Sequence, residues 1–493
     1  MTTEKRRMTP FLKQCFVTSA VGINLIGHGS LTGFPAVLLP QFDQPDSDIV
    51  SSKTADSWIA SSLAITLFIG SFMAPPVMDR FGRKLVHYIV SVSSVVGWLI
   101  TVFASSIEVI LLGRVIGGLS FGMMMTLRSI LIGEYTSPKN RGAFLTTISL
   151  TQGSGIFFVH LIGSLLSWRK TALICLFLPL TSLIMTIFMP ESPSWLVSRG
   201  RYDECKQVFR WLRGDEEEHE LEAMIQARVE FQKANVNRKT LQIFGNIRKQ
   251  EFYKPIILML HMYALAQLSG ASITATYSTT IIKLIMNPEV NADVWMVVLD
   301  TERIIINSLA IYIINKVKRR TMVLLTVGLC IVSLLAIATY VYSRSSGFLT
   351  HDILWIPGSL MILHYFTISI GMVPLPSVIA GEVFPLQYRS IAGTLSLVSI
   401  SGNMFLVLKT FPALVEAVGI SGAYVSYAVC LMYCMIVVWF LLPETKGRTL
   451  QDIEDEYRGK VVVKNSEEMV SLKRNSDEKN EKCKEENGKK SSV

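Results

Sequence analysis

Twelve runs of mostly apolar residues, each near the roughly 20 needed to cross the hydrocarbon core of a bilayer, alternate with short charged phrases along the chain. The pattern predicts helical spans near residues 15–39, 58–77, 85–104, 109–133, 144–166 and 171–189, and again near 255–279, 294–314, 321–342, 354–380, 391–411 and 422–442. Between the two sets, residues 194–254 are charged. Runs at 202–212 and 217–231 in this block carry helical apolar spacing, which predicts short amphipathic helices linking the halves. After Glu444 the chain becomes rich in Lys, Glu, Ser and Asn, with Tyr457 its one aromatic, and is expected to be disordered. The expected division is a first six-helix bundle over 1–189, a helical linker over 190–254, a second bundle over 255–442 and a tail over 443–493.

The charged phrases repeat. Asp79-Arg80-Phe81-Gly82-Arg83-Lys84, then Glu134 through Pro138 to Arg141, then Pro190-Glu191-Ser192-Pro193 punctuate the first half. Asn315-Lys316-Val317-Lys318-Arg319-Arg320, then Glu382 through Pro385 to Arg389, then Pro443-Glu444-Thr445 answer in the second. Corresponding phrases lie about 240 to 250 residues apart, as expected of a duplicated membrane unit that forms a midplane site between two rocking halves. The spacing from Glu134 to Arg141 equals that from Glu382 to Arg389. Each Glu ends one helix and each Arg begins the next, and both placements are unfavourable to the helix dipole unless the charges are paired. Pairing Glu134 with Arg141 and Arg83, and Glu382 with Arg389, Arg319 and Arg320, would remove that cost. A belt of ion pairs holding one side shut is the expected result, with Asp79, Arg114, Glu191 and Glu444 as further members.

Composition narrows the class. Half the residues are hydrophobic and 17% are charged, a balance suited to a polytopic membrane protein. The net charge of +9 resides in loops and hydrophilic segments without a nucleic-acid-binding fold, so no nucleic-acid partner is expected. Seven cysteines, most of them in apolar spans, argue against a disulfide framework. Lys and Arg concentrate in the even-to-odd loops, which places those loops and both termini in the cytoplasm. The basic amino terminus precedes a stretch too long for a signal peptide. No phosphate-binding Gly-x-x-x-x-Gly-Lys-Ser/Thr phrase, metal-ligand spacing or nucleophile triad occurs. ATP drive, a metal, a cofactor and enzymatic catalysis are therefore not expected.

Asp79-Arg80-Phe81-Gly82-Arg83-Lys84, Arg114-Val115-Ile116-Gly117-Gly118, Pro190-Glu191-Ser192-Pro193-Ser194-Trp195-Leu196 and Pro443-Glu444-Thr445-Lys446-Gly447 resemble the signature phrases of the sugar porter family of the major facilitator superfamily. Gly33-Phe34-Pro35-Ala36-Val37-Leu38-Leu39-Pro40-Gln41 is most similar to the insect branch around the facilitated trehalose transporters. The resemblance implies an all-α membrane protein with twelve transmembrane helices in two pseudo-symmetric bundles. It also implies a plasma-membrane carrier that moves a sugar by alternating access and functions as a monomer.

The recognition positions depart from that family. Its paired glutamines in the seventh span fall on Ala266-Gln267, and the following asparagine falls on Ser272. Its fifth-span glutamine falls on Ser149, with Gln152 one turn on; its tenth-span tryptophan falls on Ser377, and an eleventh-span Asn-Trp pair on Ile400-Ser401. An eighth-span asparagine becomes Arg303, beside Asp300 and Glu302. An ionisable group within a span is a functional candidate by default, and an internal pair with Asp300 is its bland alternative. His28, His160, His261 and His364 also lie within spans, where a buried hydrogen bond is the default role. Gly29 stands in or near the place where proton-coupled relatives carry a carboxylate, which favours uncoupled transport. Arg128 is read as reaching back to the membrane surface, and the Gly117-Gly118 and Gly122 cluster as a helix-packing device. The expected ligand contacts are Gln267, Gln152, Ser149, Ser269, Ser272 and Ser377, with Arg303 and His28 as further candidates. A nutrient sensor that keeps the fold without transporting, and a carrier of an organic anion, are the competing readings.

Overall fold

The computed structural model describes residues 8–45, 47–214, 219, 221–222, 224–226, 250–287, 289–348, 354–384, 389–446, 448 and 450–458, and these residues form helices and connecting turns with no strand among them. The first six spans are Pro10–Gly33 continued by Pro35–Phe42, then Lys53–Phe81, Arg83–Val102, Ile107–Tyr135, Pro138–Gly163 and Trp168–Phe188. The seventh is Gln250–Leu268 continued by Ile273–Thr276 and Ser278–Ile285. Ala292–Lys316 and Arg319–Ser345 are the eighth and ninth, and Trp355–Thr367 with Pro374–Val383 makes the tenth. Arg389–Leu441 carries the last two crossings, because Gly419 at φ 71° and ψ 171° interrupts the helix and turns the chain back.

Length and hydropathy single out ten helical stretches, Gly393–Leu441 among them, as long and apolar enough to cross a membrane. The break at Gly419 divides that stretch in two. Ala292–Lys316 is outside the ten because Asp293, Asp300, Glu302 and Arg303 lower its hydropathy, although its length suits a crossing. Twelve crossings result, in two six-helix bundles.

Small residues let the helices approach. A Cβ on Gly118 would lie 1.9 Å from Thr66 Oγ1, and one on Gly122 would lie 2.1 Å from the Leu67 carbonyl oxygen, so the second and fourth spans pack backbone to backbone. The first and fifth spans do the same at Gly29 and Gly155. A Cβ on Gly29 would lie 2.2 Å from the Gln152 carbonyl oxygen, which leaves no room for a carboxylate at that position.

Helix breaks occur within the seventh and tenth spans. Gly270 (φ 91°) opens the seventh span between Leu268 and Ile273, and a five-residue π-helical turn, Ile368–Met372, precedes Pro374 in the tenth. Irregular backbone at membrane depth is tolerated where protein or a cavity satisfies it.

The linker forms Pro193–Ser198 and Tyr202–Arg213, packed around Trp195, Leu196, Cys205, Phe209 and Leu221. Most of the helix expected at 217–231, and residues 459–493, lie outside the described residues. The expected disorder from 443 onward is corrected at Leu450–Tyr457, which is helical. Ile453 and Tyr457 are buried there, and the Tyr457 hydroxyl donates to the Leu441 carbonyl at 3.2 Å, so this segment does have apolar surface to bury. The six described cysteines are free thiols.

Candidate functional site

The duplicated phrases fold into duplicated clusters at one end of the spans. In the first bundle the Arg83 guanidinium grips Glu134 with two bonds, Nε to Oε2 at 3.0 Å and Nη2 to Oε1 at 3.1 Å, a bidentate geometry that fixes orientation as well as charge. The Ser192 hydroxyl also donates to Glu134, and Glu191 accepts the backbone N–H groups of Arg83 (2.8 Å) and Lys84 (3.1 Å). A carboxylate thereby caps the N-terminus of the third span, where orphan N–H groups and the helix dipole favour negative charge. The second bundle repeats each element. Arg319 binds Glu382 Oε1 through Nη2 at 3.1 Å and Nε at 3.3 Å, and the Thr445 hydroxyl donates to Glu382 Oε2 at 2.6 Å. Glu444 accepts the N–H groups of Arg319 (2.9 Å) and Arg320 (3.2 Å), capping the ninth span.

Four expected members sit differently. Arg141 turns its guanidinium to the Thr136 carbonyl at 3.5 Å, since Glu134 is already occupied by Arg83 and Ser192. Arg320 donates to the Trp439 carbonyl at 2.9 Å and lies over the Trp439 ring, leaving Glu382 to Arg319. Arg114 has no carboxylate within ion-pair reach among the described residues; it is buried and donates to the Leu31 carbonyl at 3.2 Å. Asp79 is largely exposed and reaches Arg83 only at 3.9 Å. The Arg389 side chain lies outside the described residues. Among the described residues every ion pair at this end ties neighbours within one bundle, and none joins the two.

The bundles meet at the opposite end. His160 of the fifth span, fully buried, contacts Asp300 of the eighth through Nδ1, and its Nε2 lies 3.1 Å from the Gly33 carbonyl and 3.2 Å from that of Ala275. Asp300 also pairs with Arg303 at 3.4 Å, and Arg303 donates to Thr274 at 3.0 Å and lies over the Tyr365 ring. Arg303 is therefore part of a buried His–Asp–Arg cluster that bridges the halves. Around it, the Thr279 hydroxyl donates to the Ala36 carbonyl (3.0 Å), Lys409 donates to the Ser57 hydroxyl (2.7 Å) and covers the Trp58 ring, and Lys53 pairs with Glu416 at 3.0 Å. Each of these joins one bundle to the other.

The expected ligand contacts divide in two. Gln267 and Ser272 come together at the break in the seventh span, the hydroxyl donating to Gln267 Oε1 at 2.5 Å. Gln152 is half-buried, and its Oε1 lies 3.4 Å from Arg128 Nη1. The others turn away. Ser269 donates to the Ala266 carbonyl of its own helix at 2.8 Å, and Ser377 does the same to Pro374 at 2.8 Å. His28 is buried within the first bundle, 2.9 Å from the Ser120 hydroxyl and stacked on Phe121. The Ser149 side chain lies outside the described residues. The cross-bundle pair His160–Asp300 was not among the expected site residues, since no local spacing links residues 140 positions apart. Arg128 was passed over as a surface-reaching cation. Its signal was the lack of an acidic residue three or four positions away.

Two helical bundles with capped, ion-paired ends and a polar seam between them define a membrane carrier of the major facilitator fold. The chain matches the family model described as "Sugar (and other) transporter" over residues 15–457, and it belongs to that family. It is 26% identical over 447 residues to the facilitated trehalose transporter Tret1 of Polypedilum vanderplanki, covering 90% of this chain and 88% of that one. It is 25% identical over 445 residues to the Drosophila virilis protein of the same name, of which it spans about half, 48%. Its fold is similar to an inward-open structure of the xylose transporter XylE from E. coli, with a TM-score of 0.69 at 18% identity, covering 91% of this chain and 100% of that one.

Proposed function

We propose that this protein carries a sugar or related polyhydroxylated solute passively across the plasma membrane by alternating access, working as a monomer with both termini in the cytoplasm. The observation that carries the reading is the one-sided seam. Buried and polar contacts join the halves at one end of the spans, while the ion pairs at the other end stay within each half. Two rigid bundles hinged in that way can part at one end and meet at the other around a fixed site. Gln152, Gln267 and Ser272 are the proposed hydroxyl-binding groups at that site. Amide and hydroxyl side chains replace the hydrogen bonds that a polyol gives up on leaving water. The duplicated clusters would act as stiff ends for each half, and the Lys- and Arg-rich loops put them on the cytoplasmic side. The close contact at Gly29 removes the place for a proton-carrying carboxylate, which supports uncoupled movement.

Counterflow in proteoliposomes with labelled trehalose and glucose tests this. Exchange that persists when an ionophore collapses the proton gradient is the expected result. Binding without any flux would support a sensor and overturn the carrier reading, and flux that stops with the gradient would overturn the passive mechanism.

A further inference from the structure

The cations within the spans are disposed of in different ways. Arg303 is neutralised by Asp300, Arg114 is enclosed against the Leu31 carbonyl, and Lys409 rests on Trp58 and Ser57. Arg128 has no such arrangement. Among the described residues no carboxylate lies within ion-pair reach of it, and its one hydrogen bond is the 3.4 Å approach to the Gln152 amide oxygen. It does not reach for the membrane surface. Glu134, six residues further on and roughly 9 Å along the helix, is the first acidic group in that direction, and Arg83 and Ser192 already hold it. The guanidinium is instead directed to the seam between the halves. Gln152 of the fifth span lies on one side, and Tyr263 of the seventh, in the other bundle, is close enough for an electrostatic interaction. Tyr263 is one helical turn from Gln267, on the same face of the same helix.

The groups that approach Arg128 are neutral, the Gln152 amide, the Tyr263 hydroxyl and the buried His28 ring, and Gln267 follows one turn beyond Tyr263. A cation at membrane depth without a counter-charge is costly, and such residues mark solute pathways. An anion arriving with the solute would supply the missing partner. A planar guanidinium matches a carboxylate with two parallel bonds, while the neighbouring amides suit hydroxyl groups. We propose that the preferred cargo is a sugar acid, a polyhydroxylated solute bearing one carboxylate, and that Arg128 binds that carboxylate. This rests on the carrier reading above and specifies the substrate class of the same site.

The test compares labelled glucuronate and gluconate with labelled glucose in proteoliposomes holding the full chain. In the wild-type protein the acids are expected to half-saturate at a concentration about tenfold lower than glucose, the order of one charge-assisted hydrogen bond. An inside-positive diffusion potential should speed uptake of the acids and leave that of glucose unchanged. R128Q should abolish the preference, acid flux falling about tenfold more than glucose flux, and R128K should restore part of it. Monodispersity in detergent and residual glucose exchange report that the variants fold. Equal affinity for acid and neutral sugar in the wild type, or a preference that survives R128Q, overturns the sugar-acid proposal and leaves the carrier reading standing. Absence of flux for every solute defeats both.

Discussion

The two ends of the molecule solve the same problem, holding charged and polar groups near a bilayer, in opposite ways. At one end the solution is written twice: an Arg clamped on a Glu, a hydroxyl on the same Glu, and a second Glu capping the next helix, once around Glu134 and once around Glu382. At the other end no such repeat occurs among the described residues. His160, Asp300, Arg303, Thr274 and Tyr365 form a single cluster that belongs to neither half alone. Duplicated chemistry makes each bundle rigid, and unduplicated chemistry joins the bundles. In the proposed cycle the joining contacts must break and re-form, while the duplicated ones persist.

The largest separation of the two roles is expected from D300A. It leaves Arg303 without its carboxylate and His160 without its cross-bundle partner, and breaking a buried pair of this kind costs about 3–5 kcal/mol. The Asp300–Arg303 pair lies within one helix and is lost in both states, whereas the loss of the His160 contact falls on the joined state alone, so the population should shift toward bundles parted at that end, as read by distances between spin labels across it. E134A and E382A come next. Each removes the carboxylate that an Arg and a hydroxyl hold, worth about 1.5–3 kcal/mol, and each should lower the thermal stability of the protein in detergent by a similar amount, because the clusters are copies. A loss confined to one of them would break the equivalence of the halves.

G82A sharpens the comparison in a finer way. Gly82 has φ of 101°, and a Cβ there would lie 2.2 Å from Glu191 Oε2. Its counterpart is Lys318, with φ of −65°. G82A should therefore cost about 1–3 kcal/mol, while K318A should be close to neutral in the same melting assay. K53A is expected to have the smallest effect, about 0–1 kcal/mol. Lys53 and Glu416 lie across the seam, but both are exposed (78% and 64%).

Legibility followed the same division. The twelve spans could be read from apolar run length, except that Asp300 and Arg303 dilute the eighth and a single glycine, Gly419, separates the last two. The Arg83–Glu134 and Arg319–Glu382 pairs could be read because a motif that occurs twice at one spacing constrains itself. The seam could not. In helices apolar on every side, period alone does not say which face meets the partner bundle. Ser269 and Ser377 were therefore expected at the ligand and are bonded to their own helices, and His28 faces Ser120 instead. Arg303 was legible as far as its neighbour Asp300, three residues away. The third member, His160, came from the other half of the chain.

Distances between spin labels at positions 53 and 416, across the joined end, and at 139 and 316, at the clustered end, test the central claim directly. The account predicts that labelled protein in liposomes populates two states under saturating solute, the first distance lengthening as the second shortens. A single fixed distance at both ends, in protein that still passes solute across the membrane, would contradict it.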